Sequence, residues 1–110
     1  MKSAKGFLIV LVTAPDMKVA RLLAKHCCSQ RLAACVNVVP ALESHYWWQG
    51  KLEKSREVLL LIKTRREKLA ALERLIQERH PYDTPEIIAL PPIAGTSRYL
   101  EWWDRETQTP

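Results

Sequence analysis

The sequence predicts an α+β domain, four strands and two main helices in the order βαββαβ, with a further helix at the C-terminal end. Three observations carry that prediction: short runs rich in β-branched residues, two segments between them with apolar residues at helical spacing, and Pro or Gly at nearly every change of pattern. The 110 residues suit one domain spanning 1–110, because a chain of that length buries about two thirds of its unfolded surface and has no room for a second core. Hydrophobic residues at 47% and charged residues at 26% exclude a disordered chain or a coiled coil.

The first strand is FLIVLV at 7–12, apolar, β-branched and too short for a helix. TAPD at 13–16 then switches the chain to helix: Thr13 is the expected N-cap, Pro15 fits the first turn, and Asp16 three residues on completes a capping box at the positive end of the dipole. That helix is expected to reach about Gln30 and to bury Val19, Ala20, Leu23, Ala24 and Cys27. The pattern from 33 to 53 is extended, with Pro40 at a bulge or edge. Gln49 and Gly50 supply a turn, so 44–48 folds back on 52–62 as a hairpin. TRRE at 64–67 reads as a second capping box, followed by Leu69, Leu72, Leu75 and Ile76 on one helical face and stopped by Pro81. After Pro85, residues 87–90 form the fourth strand. Thr96 or Ser97 caps a short last helix that packs Tyr99, Leu100 and Trp103 or Trp102 inward. This order is that of a ferredoxin-like sandwich, helices on one face of an antiparallel sheet.

The other face bears on function. In a monomer it would meet water and read polar, yet the first strand and VLLLI at 58–62 are apolar at odd and even positions alike. Self-association through that face is therefore expected.

Several classes of partner drop out. A net charge of +5 raises the question of nucleic acid, but the basic residues around 63–68 are interleaved with acids, as on a solvated helix face, so no nucleic-acid partner is expected. The third strand also lacks the stacking aromatics of an RNA-binding sheet of the same order. No Gly-rich anion loop with a following Arg appears near the first strand-helix turn, which speaks against an acylphosphatase-like hydrolase on the same topology, and no enzyme is expected. No apolar run reaches the roughly 18 residues of a membrane span, and the first residues lack the order of a secretion signal, so a cytoplasmic protein without a membrane partner is expected. Cys27, Cys28 and Cys35 are then free thiols.

The candidate metal ligands are His80 and Glu86, an imidazole and a carboxylate suited to Cu²⁺ or Zn²⁺, with Pro81 and Pro85 restricting the chain between them. The other reading has His80 satisfying a helix end and Glu86 a backbone N–H or a basic neighbour. His26, Cys27 and Cys28 point about 100° apart on a helix and do not form a metal cluster. Cys35, in an apolar strand without a nearby second thiol, reads as structural. Tyr46, Trp47 and Trp48 at the hairpin, with Leu60 in the apolar strand, are the expected subunit interface; the other reading of the aromatic cluster is a wall on which a ligand stacks.

Six segments, VTAPD (12–16), RLAACVN (31–37), YWWQGK (46–51), EVLLLIKT (57–64), HPYDTPE (80–86) and YLEW (99–102), resemble those of the CutA family in order and spacing. The resemblance implies a ferredoxin-like, PII-like homotrimer linked to divalent-cation tolerance, with weak copper or other divalent-ion binding and no metal required for folding. It also implies a cleft between subunits, near which Cys35, Lys63, Tyr82 and Trp102 would lie. A PII-like sensor binding a small anionic metabolite there, with Lys63 as counter-charge, is the alternative. Some members carry Cys just before the TAPD segment; here that position is Val12, so no thiolate stands there.

Overall fold

A computed structural model of the protein describes residues 1–108; of the span 1–110, residues 109 and 110 lie outside the described residues. The elements run β1 (Lys2–Ser3), β2 (Phe7–Ala14), α1 (Met17–Ser29), β3 (Cys35–Trp48), β4 (Lys51–Arg65), α2 (Leu69–Arg79), β5 (Ile87–Leu90), β6 (Ala94–Gly95) and α3 (Ser97–Glu106). Four strands form one antiparallel sheet in the order β3-β4-β2-β5, and β1 pairs with β6 in a small second sheet that the sequence did not signal.

Alternation in β2 and β4 decides which side chains meet the helices. Val10, Val12, Val58, Leu60 and Ile62 are buried with Ala20, Leu23 and Cys27 of α1 and Leu72, Leu75 and Ile76 of α2. Ile9, Leu11, Leu59 and Leu61 point the other way and are only half-buried. Along β5 the same rule leaves Ile88 48% and Leu90 45% exposed, paired with Leu11 and Ile9. The second sheet face is thus apolar and open in the single chain.

Three local expectations are corrected. Asp16, not Thr13, caps α1: its Oδ1 accepts from the Val19 N–H at 2.9 Å, while Thr13 and Ala14 stay in β2 opposite Leu59 and Val58. Thr64 does not cap α2. It lies in β4 opposite Leu8, fully buried, and its hydroxyl donates to Leu32 O at 2.6 Å; a 3₁₀ turn over Arg66–Lys68 then leads into α2. Leu60 is 0% exposed in the helix-side core, so it has no surface to offer a neighbouring subunit. Leu59 and Leu61 stand on the open face instead.

The β3–β4 hairpin closes through Gln49 and Gly50, both at positive φ (51° and 78°), which is the type I′ geometry that matches strand twist. A bulge lies between Val39 and Leu42, with Pro40 inside it and Ala41 at φ 64°. That extra residue shifts the alternation of β3, so Leu42, Ser44, Tyr46 and Trp48 emerge on the same face as Glu57 of β4. At the other end α3 buries Leu100 and Trp103 against Phe7 and Ala4, and the Trp103 indole N–H donates to Thr64 O at 3.0 Å. Gly95 permits this approach, since a Cβ there would come within 2.9 Å of Leu100.

Candidate functional site

An open cavity of about 530 Å³ lies at the hairpin end of the open sheet face. β2 contributes Thr13, β3 contributes Tyr46 and Trp48 through the bulge shift, β4 contributes Glu57, and the loop after α2 contributes Pro81, Tyr82, Asp83, Thr84 and Glu86. Among the described residues three carboxylates and three aromatic rings line it, and no basic side chain does.

Glu57 is buried, at 8% exposure, and the Tyr82 hydroxyl donates to its Oε2 at 3.0 Å. No ion pair joins Glu57 to a cation among the described residues. Desolvation, and after it the bond to Glu57, pushes the Tyr82 phenol from 10.0 up to about 12, so the group stays a donor at neutral pH.

His80 stands behind this wall. Its Nε2 is 2.7 Å from Thr13 O and its Nδ1 accepts from the Tyr82 N–H at 3.1 Å. Nε2 donates and Nδ1 accepts, the pattern of the Nε2–H tautomer, so the one lone pair, on Nδ1, is taken up by Tyr82 N–H and neither nitrogen is free for a metal. Its ring also packs against that of Tyr82, tilted by 52° with centroids 4.8 Å apart. The expected pair of His80 and Glu86 is therefore not set as two metal ligands: His80 is buried and engaged by backbone, while Glu86 is exposed on the cavity. Among the described residues no three His, Cys, Asp or Glu side chains come together to hold a metal. His26 and His45 are elsewhere, beside Arg79 (3.0 Å) and Glu43 (2.9 Å).

The expected cleft residues divide between two places. Cys35 and Lys63 are cross-strand partners, and the Lys63 ammonium donates to the Tyr99 hydroxyl at 2.9 Å, with the Tyr99 ring 5.4 Å from Trp102. Tyr82 lies with Glu57, six residues from Lys63 along β4, about 20 Å at strand rise. Within one chain Lys63 does not enter the acidic cavity. All three cysteines are free, and burial, then Cys28, pushes the Cys27 thiol up to about 12. Tyr46 and Trp48 are partly exposed at the cavity, while Trp47, on the opposite hairpin face, is 73% exposed. Glu57, Thr13, Asp83 and Tyr99 were missed as site residues. Only Glu57 carried a signal, an acid directly ahead of an apolar strand run.

Residues 8–106 match the family described as CutA1 divalent ion tolerance protein. The chain belongs to the CutA1 family. A rice relative, the chloroplastic Protein CutA 1 of Oryza sativa subsp. japonica, is 46% identical over 101 residues, covering 92% of this chain and 57% of the relative. The CutA1 chain here thus spans a little over half of that plant protein. The divalent-cation tolerance protein CutA of Thermus thermophilus is 46% identical over 90% of this chain and 96% of its own, and its solved structure superposes with a TM-score of 0.90 over 93% of this chain and 99% of that one. A solved CutA of Archaeoglobus fulgidus, titled periplasmic, is 36% identical with a TM-score of 0.89, covering 93% of this chain and 99% of that one. CutA1 relatives thus carry chloroplastic and periplasmic names. Among the described residues no helix is long and apolar enough to cross a membrane.

Proposed function

We propose that this CutA1 protein is a homotrimer that takes part in divalent-cation tolerance by binding Cu²⁺ or Zn²⁺ weakly at the acidic cavity, as a binding protein and not an enzyme. One observation carries the reading: Glu57, Asp83 and Glu86 line the cavity without a basic side chain among them. That charge favours a cation and opposes the anionic metabolite of the alternative, for which Lys63, held by Tyr99 at the far end of β4, is the only counter-charge suggested. Weak binding follows from the lack of three converging ligands among the described residues, and ligation rests on carboxylates rather than on His80. The names of the relatives, which speak of divalent-cation tolerance, support the role. Self-association is supported by the open apolar face, where Val39, Ile88 and Leu90 stay exposed side by side with half-buried aliphatic residues. The reading includes a cytoplasmic location, in keeping with three free thiols, and no nucleic-acid or membrane partner.

Native mass spectrometry with and without Cu²⁺ and Zn²⁺ tests it. A trimer is expected, taking up Cu²⁺ more readily than Zn²⁺ by the usual divalent order. Uptake should fall in Glu57→Gln/Asp83→Asn/Glu86→Gln and persist in His80→Ala. A monomer, or uptake that the triple variant leaves untouched, would refute it.

A further inference from the structure

We propose that the same cavity accepts a small organic ammonium ion, held between the rings of Tyr46, Trp48 and Tyr82 and the carboxylate of Glu57. The inference rests on the cavity being the cation site proposed above, and not on the metal.

Two features of the lining point past a bare ion. The first is the aromatic wall. The bulge in β3 turns Tyr46 and Trp48 onto the face of Glu57, and the 81–86 loop brings Tyr82 over it, so three rings and three carboxylates share one space. Ring faces attract an organic cation through their quadrupole, and its low hydration lets it sit against them. A divalent metal ion draws nothing from such walls, since it needs oxygen, nitrogen or sulfur donors, and no three suitable side chains converge among the described residues. The second is size. About 530 Å³ suits a small molecule and is far more than one ion fills.

Glu57 supplies the independent observation. A carboxylate at 8% exposure normally faces a cation, yet its bonded partner is the neutral Tyr82 phenol and no ion pair reaches it among the described residues. The phenol fixes Oε2 and leaves the negative charge uncompensated beside the aromatic space. An ammonium group there would provide the missing counter-charge while its methylene or methyl groups cover the rings.

Calorimetry on the full-length protein with tetramethylammonium chloride and with 1,4-diaminobutane, against sodium chloride at equal ionic strength, tests this. Saturable binding of at least one amine is expected. Trp48→Ala should weaken it about tenfold and Trp48→Phe, which keeps a ring, much less. Glu57→Gln should weaken diaminobutane more than tetramethylammonium, which has no N–H to donate. Tyr46→Leu provides a second ring deletion should Trp48→Ala fail to fold. No saturable binding of either amine, with divalent-ion uptake intact, would overturn the inference and leave the metal reading standing; this is also the outcome if a neighbouring subunit's own basic side chain fills the cavity. Amine binding unchanged in the ring and Glu57 variants would overturn it too. Metal uptake lost by the carboxylate variants, with no amine bound, keeps the two readings apart.

Discussion

Tyr82 joins the loop after α2 to the sheet through two atoms: its N–H donates to His80 Nδ1 and its hydroxyl to Glu57 Oε2. Because burial and Glu57 raise the phenol to about 12, the native state holds that proton more tightly than the unfolded chain, whose tyrosines titrate near 10. The stabilisation is therefore complete below pH 10 and lost as pH rises from 10 through 12. In an ultraviolet titration near 295 nm, one tyrosine step should appear near pH 12 and vanish in Tyr82→Phe; wild type without that late step would contradict the buried contact. His80→Ala takes a buried ring away from its two backbone partners, Thr13 O and Tyr82 N–H, and should cost roughly 1–3 kcal/mol in denaturant unfolding, while leaving divalent-ion binding intact. The sequence alone offered His80 as a ligand because histidine beside a carboxylate suits a metal. Its true partner, Thr13 O, is 67 positions away, and a contact of that range leaves no local trace.

Among the elements, β4 shows most clearly what pattern conveys and what it does not. Its apolar run was legible as a strand apolar on both faces, and so were the hairpin turn at Gln49 and Gly50 and the bulge at Pro40. Which of Leu59, Leu60 and Leu61 faced the helices was not, since a one-residue change of register exchanges the two faces. The capping box at 64–67 failed for a related reason. Spacing allowed Thr64 to cap, but pairing with Leu8 and a bond to Leu32 O kept it in the strand, so tertiary contacts outweighed a local signal. The two faces can be separated by experiment. Leu60→Asp buries an unpaired carboxylate in the helix-side core and should abolish soluble folded protein, a cost of several kcal/mol. Leu61→Asp, on the open face, should leave the circular dichroism spectrum of a folded subunit and lose the proposed trimer by light scattering. Equal damage from both would mean that the open face belongs to the subunit's own core.

For the whole molecule the question is where stability resides. One side of the sheet is closed by α1 and α2, while the other leaves Val39, Ile88 and Leu90 exposed beside the half-buried Ile9, Leu11, Leu59 and Leu61. Covering such surface contributes about 2.5 kcal/mol per 100 Å² of apolar area before the cost of association, whereas a weakly held ion contributes little at ordinary concentrations. If subunits cover that face for one another, unfolding is coupled to dissociation. The melting temperature should then rise with protein concentration and respond barely at all to EDTA, because removing a weakly held ion takes little from the folded state. The two single-residue lesions differ in the same experiment. His80→Ala weakens contacts inside one subunit and should lower the melting temperature by a similar amount at every concentration. Trp48→Ala removes a ring from the open face at the hairpin and should lower it most where the protein is dilute. A collapse on adding EDTA would transfer the stability to metal. A reversible transition whose midpoint ignores concentration would transfer it to the isolated subunit, and the open apolar face would then need another explanation than a second and third copy of this chain.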